Sequence, residues 1–424
     1  MLKRLKIENY KSFKSIEIRF KDINVIMGPN AAGKSNLLDA IYLISKIVTS
    51  RNINEAFKGH RGVPLESFYY GEEGFESLIK KDKISIGFEV DVELSPSTIN
   101  EVNDIIQQKR KGLDSEEKGR EYVTEKNLRY ILTIEALPKT GVLRIVDEEL
   151  FGICSNGRPK KSRNPFLGRD KDNSKLVLRM EKQAHPIYFD TGLDHSIVST
   201  ALYEPHYPHI VAFRRELEKW QTYYFEPREL MREEVPLADV NTIGSRGENI
   251  SAFLNTLKEK YPKDFESLNL AIQQILPTKP KIDIELHKEG LLGLVLHESG
   301  LTFSARLISE GTLRIIGLIS AIHPKNPSLL IGYEEPENGV HPVRLRHIAT
   351  LFKNAVKMYG KQIIITTHSP LFAELFDNES LLVCEKKENY SIIKPFKEEF
   401  GSLYRRRQIE CELTESILRG DLGG

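Results

Sequence analysis

Residues 28–36 read Gly-Pro-Asn-Ala-Ala-Gly-Lys-Ser-Asn. A glycine, four intervening residues and a second glycine followed by lysine and serine suit one task, the grip of a chain of phosphates. The backbone N–H groups of such a loop, and of the helix it opens, can surround phosphate oxygens, while the lysine neutralises the outer ones and the hydroxyl reaches Mg²⁺. Lys34 is therefore expected at the β/γ oxygens and Ser35 at the metal ion, with Asn30, Ala31, Ala32, Gly33 and Asn36 completing the cradle. A triphosphate site also needs acids. The run Leu-Leu-Ile-Gly-Tyr-Glu-Glu-Pro-Glu-Asn-Gly-Val-His-Pro at 329–342 supplies them. An acidic turn after a strand is by itself as readily a solvated loop. Beside a phosphate loop, Glu334 is expected to hold Mg²⁺ through water, and Glu335 to orient and deprotonate the attacking water.

Two further stretches carry polar groups of the right kind. Ile-Ile-Ile-Thr-Thr-His-Ser-Pro at 363–370 puts His368 at the end of an apolar strand, where open α/β sheets collect their chemistry; a γ-phosphate contact is expected of it. Ser309 and Gly311, in Ile-Ser-Glu-Gly-Thr, precede a strongly apolar helical stretch. A serine N-cap would explain Ser309, and the same helix terminus would also bind an anion.

The elements that must position these residues are legible in the periodicity. Leu5, Ile7, Ile16, Ile18 and Phe20 alternate, and the run Val25-Ile26-Met27 leads straight into the glycine loop. Apolar residues then recur at helical spacing through Leu38, Ile41, Ile44 and Val48, so strand, loop and helix follow in sequence. Lys-Ile-Ser-Ile-Gly-Phe-Glu-Val-Asp-Val-Glu-Leu at 83–94 alternates throughout, as a half-buried antiparallel strand does. Similar strands are expected at 130–134 and 142–146. Residues 96–126 are polar without a sustained heptad, which excludes a long coiled coil. Residues 207–275 read as mainly helical, and a hairpin is expected over 282–296. The segment 155–175 carries seven Lys or Arg against two Asp; it reads as a solvated loop, or as an arm for nucleic-acid phosphates.

At 424 residues, with 40% hydrophobic and 29% charged residues, the chain can bury a large core without staples. Three scattered cysteines, Cys154, Cys384 and Cys411, lack metal-ligand spacing and fit a reducing cytoplasm. No apolar run approaches the ~20 residues of a membrane span, and the N-terminus has no secretory signal. A cytoplasmic protein with no membrane partner is expected. The net charge of +1 means that any nucleic-acid contact must be local.

Taken in order, phosphate loop, Ser-Glu-Gly-Thr, paired acids and histidine resemble the ATP-binding-cassette ATPases. With Asn-Tyr-Lys-Ser-Phe at 9–13 added, the set is most similar to the RecF-like and OLD-type (overcoming lysogenization defect) branch. The resemblance covers about 1–95 and 280–375. It implies an α/β fold, an ATPase head with a phosphate-loop core sheet and an antiparallel β subdomain, interrupted by a mixed, largely helical insertion. The corresponding division is 1–95, 96–280 and 281–424. It also implies a head-to-tail homodimer or higher assembly closing around ATP and Mg²⁺: one chain would supply Lys34, Ser35, Glu334, Glu335 and His368, and its partner Ser309 and Gly311. Lys11 would touch the nucleotide. Glu337, Asn338 and His341 would fall at the dimer seam, in communication between sites.

Departures qualify what the resemblance implies. Glu334 stands where most of the superfamily has Asp, as the OLD-like branch often does, and 50–95 offers no glutamine for the Q-loop metal ligand. OLD nucleases continue into a Toprim nuclease domain. About fifty residues follow His368 here, too few for it, so a stand-alone ATPase is expected. The leading functional expectation is an ATPase regulating a separately encoded effector, such as a nuclease, in bacterial anti-phage defence. The alternative is a RecF-like repair ATPase that contacts DNA directly, for which 155–175 and Arg405, Arg406 and Arg407 are the motive. A transporter subunit ranks lowest, because Ile-Ser-Glu-Gly-Thr lacks the glutamine-ended transporter signature.

Overall fold

A computed structural model describes residues 1–71, 73–110, 121–160, 164–170, 172, 174–181 and 185–397. Two compact units divide the chain: Met1–Lys21, Ala31–Trp220 and Cys384–Ile393 form the first, while Asp22–Asn30, Gln221–Val383 and the residues from Lys394 form the second.

The first unit is organised by an eight-stranded sheet in the order Phe13–Arg19, Leu2–Tyr10, Ile84–Glu93, Asn127–Leu137, Val142–Gly152, Leu167–Arg169, Lys175–Leu178 and Ile187–Asp190. Neighbours pair antiparallel, with Ile7 opposite Phe88 and Phe88 opposite Leu132. The period of two explains the sidedness: Ile86, Phe88, Val90 and Val92 are all buried, while Glu89 pairs across the sheet with Arg4 at 2.7 Å and Arg129 at 3.0 Å. The antiparallel register runs unbroken from Ile84–Glu93 into Asn127–Leu137, so the sheet crosses position 95, where the sequence suggests a boundary. Helix Pro208–Glu218 packs on its apolar face, with the Phe213 ring 5.0 Å from that of Tyr130. Helix Lys34–Ile47 is tied to it where Ser45 Oγ donates to Leu217 O at 2.8 Å. Helix Pro96–Arg110 is absent from the sequence reading. Its buried stripe is Thr98, Val102, Asn103 and Ile106, too narrow and too polar to show as a periodic pattern.

In the second unit, parallel strands carry the core. Leu330–Glu334 pairs with Gln362–Thr367, which pairs with Ile23–Met27, whose last residues face Leu381–Val383. These strands are buried on both faces, which is why they read as unbroken apolar runs rather than alternations. Helices Ile250–Lys260, Pro262–Ile275, Glu310–Ile322 and Leu345–Tyr359 supply much of the surrounding core. The expected hairpin is Lys281–Leu286 against Leu291–Glu298, extended by Val235–Pro236 and Leu301–Ser304.

One lysine closes the lower edge of this core. Lys361 is 4% exposed, and its ammonium donates to Asn326 O and Ser328 O, both at 2.8 Å. Two carbonyl dipoles replace water incompletely, so burial lowers its pKa to about 8. An unfolded lysine holds its proton up to about 10.4, so between these values the unfolded chain binds more protons and stability rises with pH. We expect the thermal midpoint of the wild-type protein to gain on that of Lys361→Gln between pH 8 and 10; parallel melting curves across that range would refute the shift.

Candidate functional site

The phosphate loop is shaped by backbone conformation before side chains enter. Ala31 has φ 62° and Gly33 φ 106°. At Gly33 both conformation and space require glycine: a Cβ would lie 2.5 Å from Ser391 Oγ and 2.7 Å from Ser12 Oγ. Ser391 N donates to Ser12 O at 2.8 Å, fixing that close approach. Gly33 is the N-cap of the 14-residue helix Lys34–Ile47 and no side chain caps it. The positive end of the helix dipole therefore lies at Lys34 and Ser35. Cys384 Sγ donates to Ala32 O at 3.3 Å beneath the loop, and burial pushes this thiol up to about 12, so it stays a donor.

Other expected residues of the first unit have defined partners. Asn36 Nδ2 donates to Ser12 Oγ at 2.7 Å, so its amide braces the loop from behind. Lys11, at φ 46° in the turn between the first two strands, pairs with Asp39 at 2.6 Å. Arg61 reaches the other oxygen of the same carboxylate at 3.2 Å. Behind them Tyr10 OH and His60 Nε2 lie 2.7 Å apart, and burial, with Lys11 nearby, lowers His60 to about 4. Ser12, Asp39, Arg61 and Ser391 escape the sequence reading; only Ser12, inside the quoted Asn-Tyr-Lys-Ser-Phe, carried any signal.

In the second unit Glu334 ends its strand opposite Thr366. Glu335 then turns to φ 44° while its N–H still donates to Thr366 O at 2.9 Å. A left-handed conformation outside glycine costs ~1–2 kcal/mol, and here it aims the second carboxylate away from the strand. Asn338 Nδ2 donates to Glu335 Oε2 at 2.6 Å, and His368 Nδ1 lies 3.5 Å from Oε1. Glu337, its side chain 7% exposed, accepts from Thr367 Oγ1 at 2.5 Å and from His368 N at 3.1 Å, with His368 Nδ1 3.4 Å away. Glu335, Glu337, Asn338 and His368 thus form one cluster. His341 N-caps the turn Pro342–Arg344 instead.

Ser309 caps helix Glu310–Ile322: its Oγ accepts from Thr312 N at 3.2 Å and donates to Thr312 Oγ1 at 2.8 Å. Gly311 has a packing reason of its own, since a Cβ there would stand 2.3 Å from Gly339 O. Within this chain the signature and the acidic loop therefore touch, backbone to backbone.

No group of three or more His, Cys, Asp and Glu gathers as a metal cage among the described residues. Mg²⁺ keeps waters and phosphate oxygens and takes only one or two protein oxygens. The Ser35 hydroxyl and Glu334 carboxylate are donors of that hard, oxygen-only kind. The basic segment is partly engaged: Lys160 pairs with Glu125, and Arg169 with Asp147 at 2.8 Å. Lys161, Arg163, Lys171 and the triplet Arg405, Arg406 and Arg407 lie outside the described residues, as does Cys411. Among the described residues no helix is long and apolar enough to cross a membrane.

The AAA ATPase domain family matches residues 1–373. An ATP/GTP phosphatase of Helicobacter pylori is 22% identical over 93% of this chain and 94% of its own length. Shorter stretches are similar to the DNA double-strand break repair Rad50 ATPase of Methanopyrus kandleri, 37% over 84 residues, and to the DNA replication and repair protein RecF of Oenococcus oeni, 42% over 55 residues. Those stretches span 19% and 13% of this chain, and only 10% and 15% of the length of the Rad50 and RecF relatives. Among solved structures, an SMC head bound to the C-winged helix domain of ScpA aligns over 93% of this chain and 97% of its own, with TM-score 0.54 at 13% identity. The fold is that of an SMC-type head.

The Gly311 contact generates a test within one chain. Gly311→Ala forces a methyl against a backbone carbonyl that cannot rotate away, and such overpacking costs typically ~1–3 kcal/mol. A lowered thermal midpoint is expected for Gly311→Ala; an unchanged midpoint would show that the Gly339 carbonyl gives way freely.

Proposed function

The chain belongs to the AAA ATPase domain family, in the class of SMC- and RecF-like phosphate-loop ATPases, and from that premise we propose that it binds ATP with Mg²⁺ and hydrolyses it to ADP and phosphate. The observation that carries this reading is the helix Lys34–Ile47, opened by Gly33 with no side-chain cap and beginning with a lysine and a serine, a terminus suited to an anion. Lys34 neutralises the β/γ oxygens and the loop N–H groups orient the phosphates. Ser35 and Glu334 hold Mg²⁺, which supplies charge neutralisation at the phosphates. Glu335 is the base: Asn338 on one oxygen and His368 near the other leave its carboxylate oriented, so that it can take a proton from the attacking water. His368 donates toward the γ-phosphate as negative charge moves onto the leaving group. Lys11 stands ready at the nucleotide once its hold on Asp39 is shared with Arg61.

Assembly is part of the proposal. A second copy of the chain, head to tail, brings Ser309 and Gly311 to the γ-phosphate, and nucleotide-gated pairing controls a separate effector such as a nuclease in anti-phage defence. The short similarities to Rad50 and RecF support a second reading, direct DNA binding in repair. Retention of duplex or gapped DNA at low salt with ATP present would favour that alternative, since phosphate contacts are strongest there.

Glu335→Gln is expected to keep nucleotide affinity, lose ~10²–10⁴-fold in turnover and accumulate a dimer with ATP, seen by mass measurement. Lys34→Ala should weaken binding itself. Turnover at the wild-type rate by Glu335→Gln would remove Glu335 as the base.

A further inference from the structure

We propose that Glu337 is the positioning residue for His368, coupling it to the base Glu335 through the loop Glu335-Pro336-Glu337. This rests on the reading of His368 as a group that acts on the γ-phosphate.

Glu337 engages its target at three points. Oε1 accepts from the Thr367 hydroxyl at 2.5 Å and from the His368 backbone N–H at 3.1 Å, and His368 Nδ1 lies 3.4 Å from the same oxygen. The first two contacts set the backbone at the point where strand Gln362–Thr367 ends. The third orients the ring. With Glu335 Oε1 3.5 Å from the same nitrogen, Nδ1 faces two carboxylates, a setting that favours a proton on it. Nε2 is then the nitrogen left for substrate, and it donates there when the ring carries both protons. Neither contact to the backbone or to Thr367 needs a charge, because a neutral oxygen would accept both. The ring contact does.

Two further observations separate this role from ordinary packing. The Glu337 side chain is 7% exposed and its Oε2 has no partner among the described residues. A buried carboxylate with one unused oxygen is unfavourable for folding, so stability alone does not account for it. Its neighbours in sequence also share the site: Asn338 holds Glu335 Oε2 at 2.6 Å, and Glu337 O accepts from Val340 N at 3.1 Å. The loop that orients the base is thereby the loop that orients the histidine, and a displacement of either is felt by the other.

The experiment uses the full chain and compares Glu337→Ala, Glu337→Gln, His368→Ala and the double variant Glu337→Ala/His368→Ala. Steady-state ATPase, affinity for a fluorescent ATP analogue and thermal melting are measured on each. Glu337→Ala should lower kcat ~10–100-fold while KM and analogue affinity stay within ~3-fold, the pattern of a group felt in the transition state. Glu337→Gln keeps an acceptor for Thr367 and the His368 N–H but loses the charge, so its kcat should fall between wild type and Glu337→Ala. The double variant should be no slower than His368→Ala by more than ~3-fold, because two residues acting as a unit do not add. Losses that multiply in the double variant would overturn the proposal. So would wild-type kcat in Glu337→Ala beside an impaired His368→Ala, or melting points that fall in both Glu337 variants while turnover per folded molecule is unchanged. Wild-type turnover by His368→Ala would instead overturn the reading of the histidine, and the proposal with it.

Discussion

The register of three buried parallel strands is the constraint on which the chemistry depends. Glu334 lies opposite Thr366, Thr366 opposite Ile26 and Thr367 opposite Met27. Because parallel ladders fix neighbours residue by residue, the strand that enters the glycine loop, the strand that ends in the acids and the strand that ends in the histidine all stop at one level. A one-residue slip of Gln362–Thr367 would turn its side chains to the opposite face. It would also break the bond from Glu335 N to Thr366 O, which carries the ladder one residue beyond the strand. The positive φ of Glu335 follows from this: the N–H must stay in the ladder while the chain turns for Pro336.

At the opposite end of the same strands the buried polar groups are treated differently. Lys361 Nζ is satisfied by two carbonyls, and Asn326, Ser328 and Tyr223 bond among themselves. Nothing there is left unpaired among the described residues, as a region serving only stability requires. At the chemical end Thr366 Oγ1 and Glu337 Oε2 are buried without partners among the described residues. Along these strands the buried polar groups differ between the two ends, although unpartnered buried atoms also occur elsewhere, at His60, Ser67, Tyr207, Trp220 and Ser251. The first unit has the same contrast: Glu148, fully buried, accepts from Tyr130 OH, Ser196 Oγ and Ile197 N, whereas Ser391 Oγ beneath the glycine loop has no partner among the described residues.

Much of this was legible in the amino-acid sequence where one local rule dominates. The run Val25-Ile26-Met27 before Gly28, the alternation through 84–94 and the hairpin from 282 each follow from a single periodicity, and each is observed. The sheet order was not legible, because antiparallel neighbours such as Ile84–Glu93 and Asn127–Leu137 are chosen by long-range register. Helix Pro96–Arg110 was missed because four buried positions among fifteen leave little pattern to detect. In the candidate site, residue types suggest roles but not attachments. Asn36 reads as a nucleotide ligand from its place in the motif, yet its amide is held by Ser12. Glu337 reads as part of a seam, yet its carboxylate is held by Thr367 and His368. Partners of this kind are remote in sequence, 24 and about 30 positions away, and no local spacing encodes them.

Glycine and carboxylate solve opposite halves of one problem. At Gly33 and Gly311 the absence of a Cβ lets backbone approach other atoms to distances no other residue permits. At Glu334, Glu335 and Glu337 three negative charges are crowded into four residues, where they repel one another. The conflict is contained by geometry: Glu337 spends one oxygen on Thr367 and His368, and Glu335 is held by Asn338. Of the three carboxylates, these two are thereby turned toward donors within their own loop and strand.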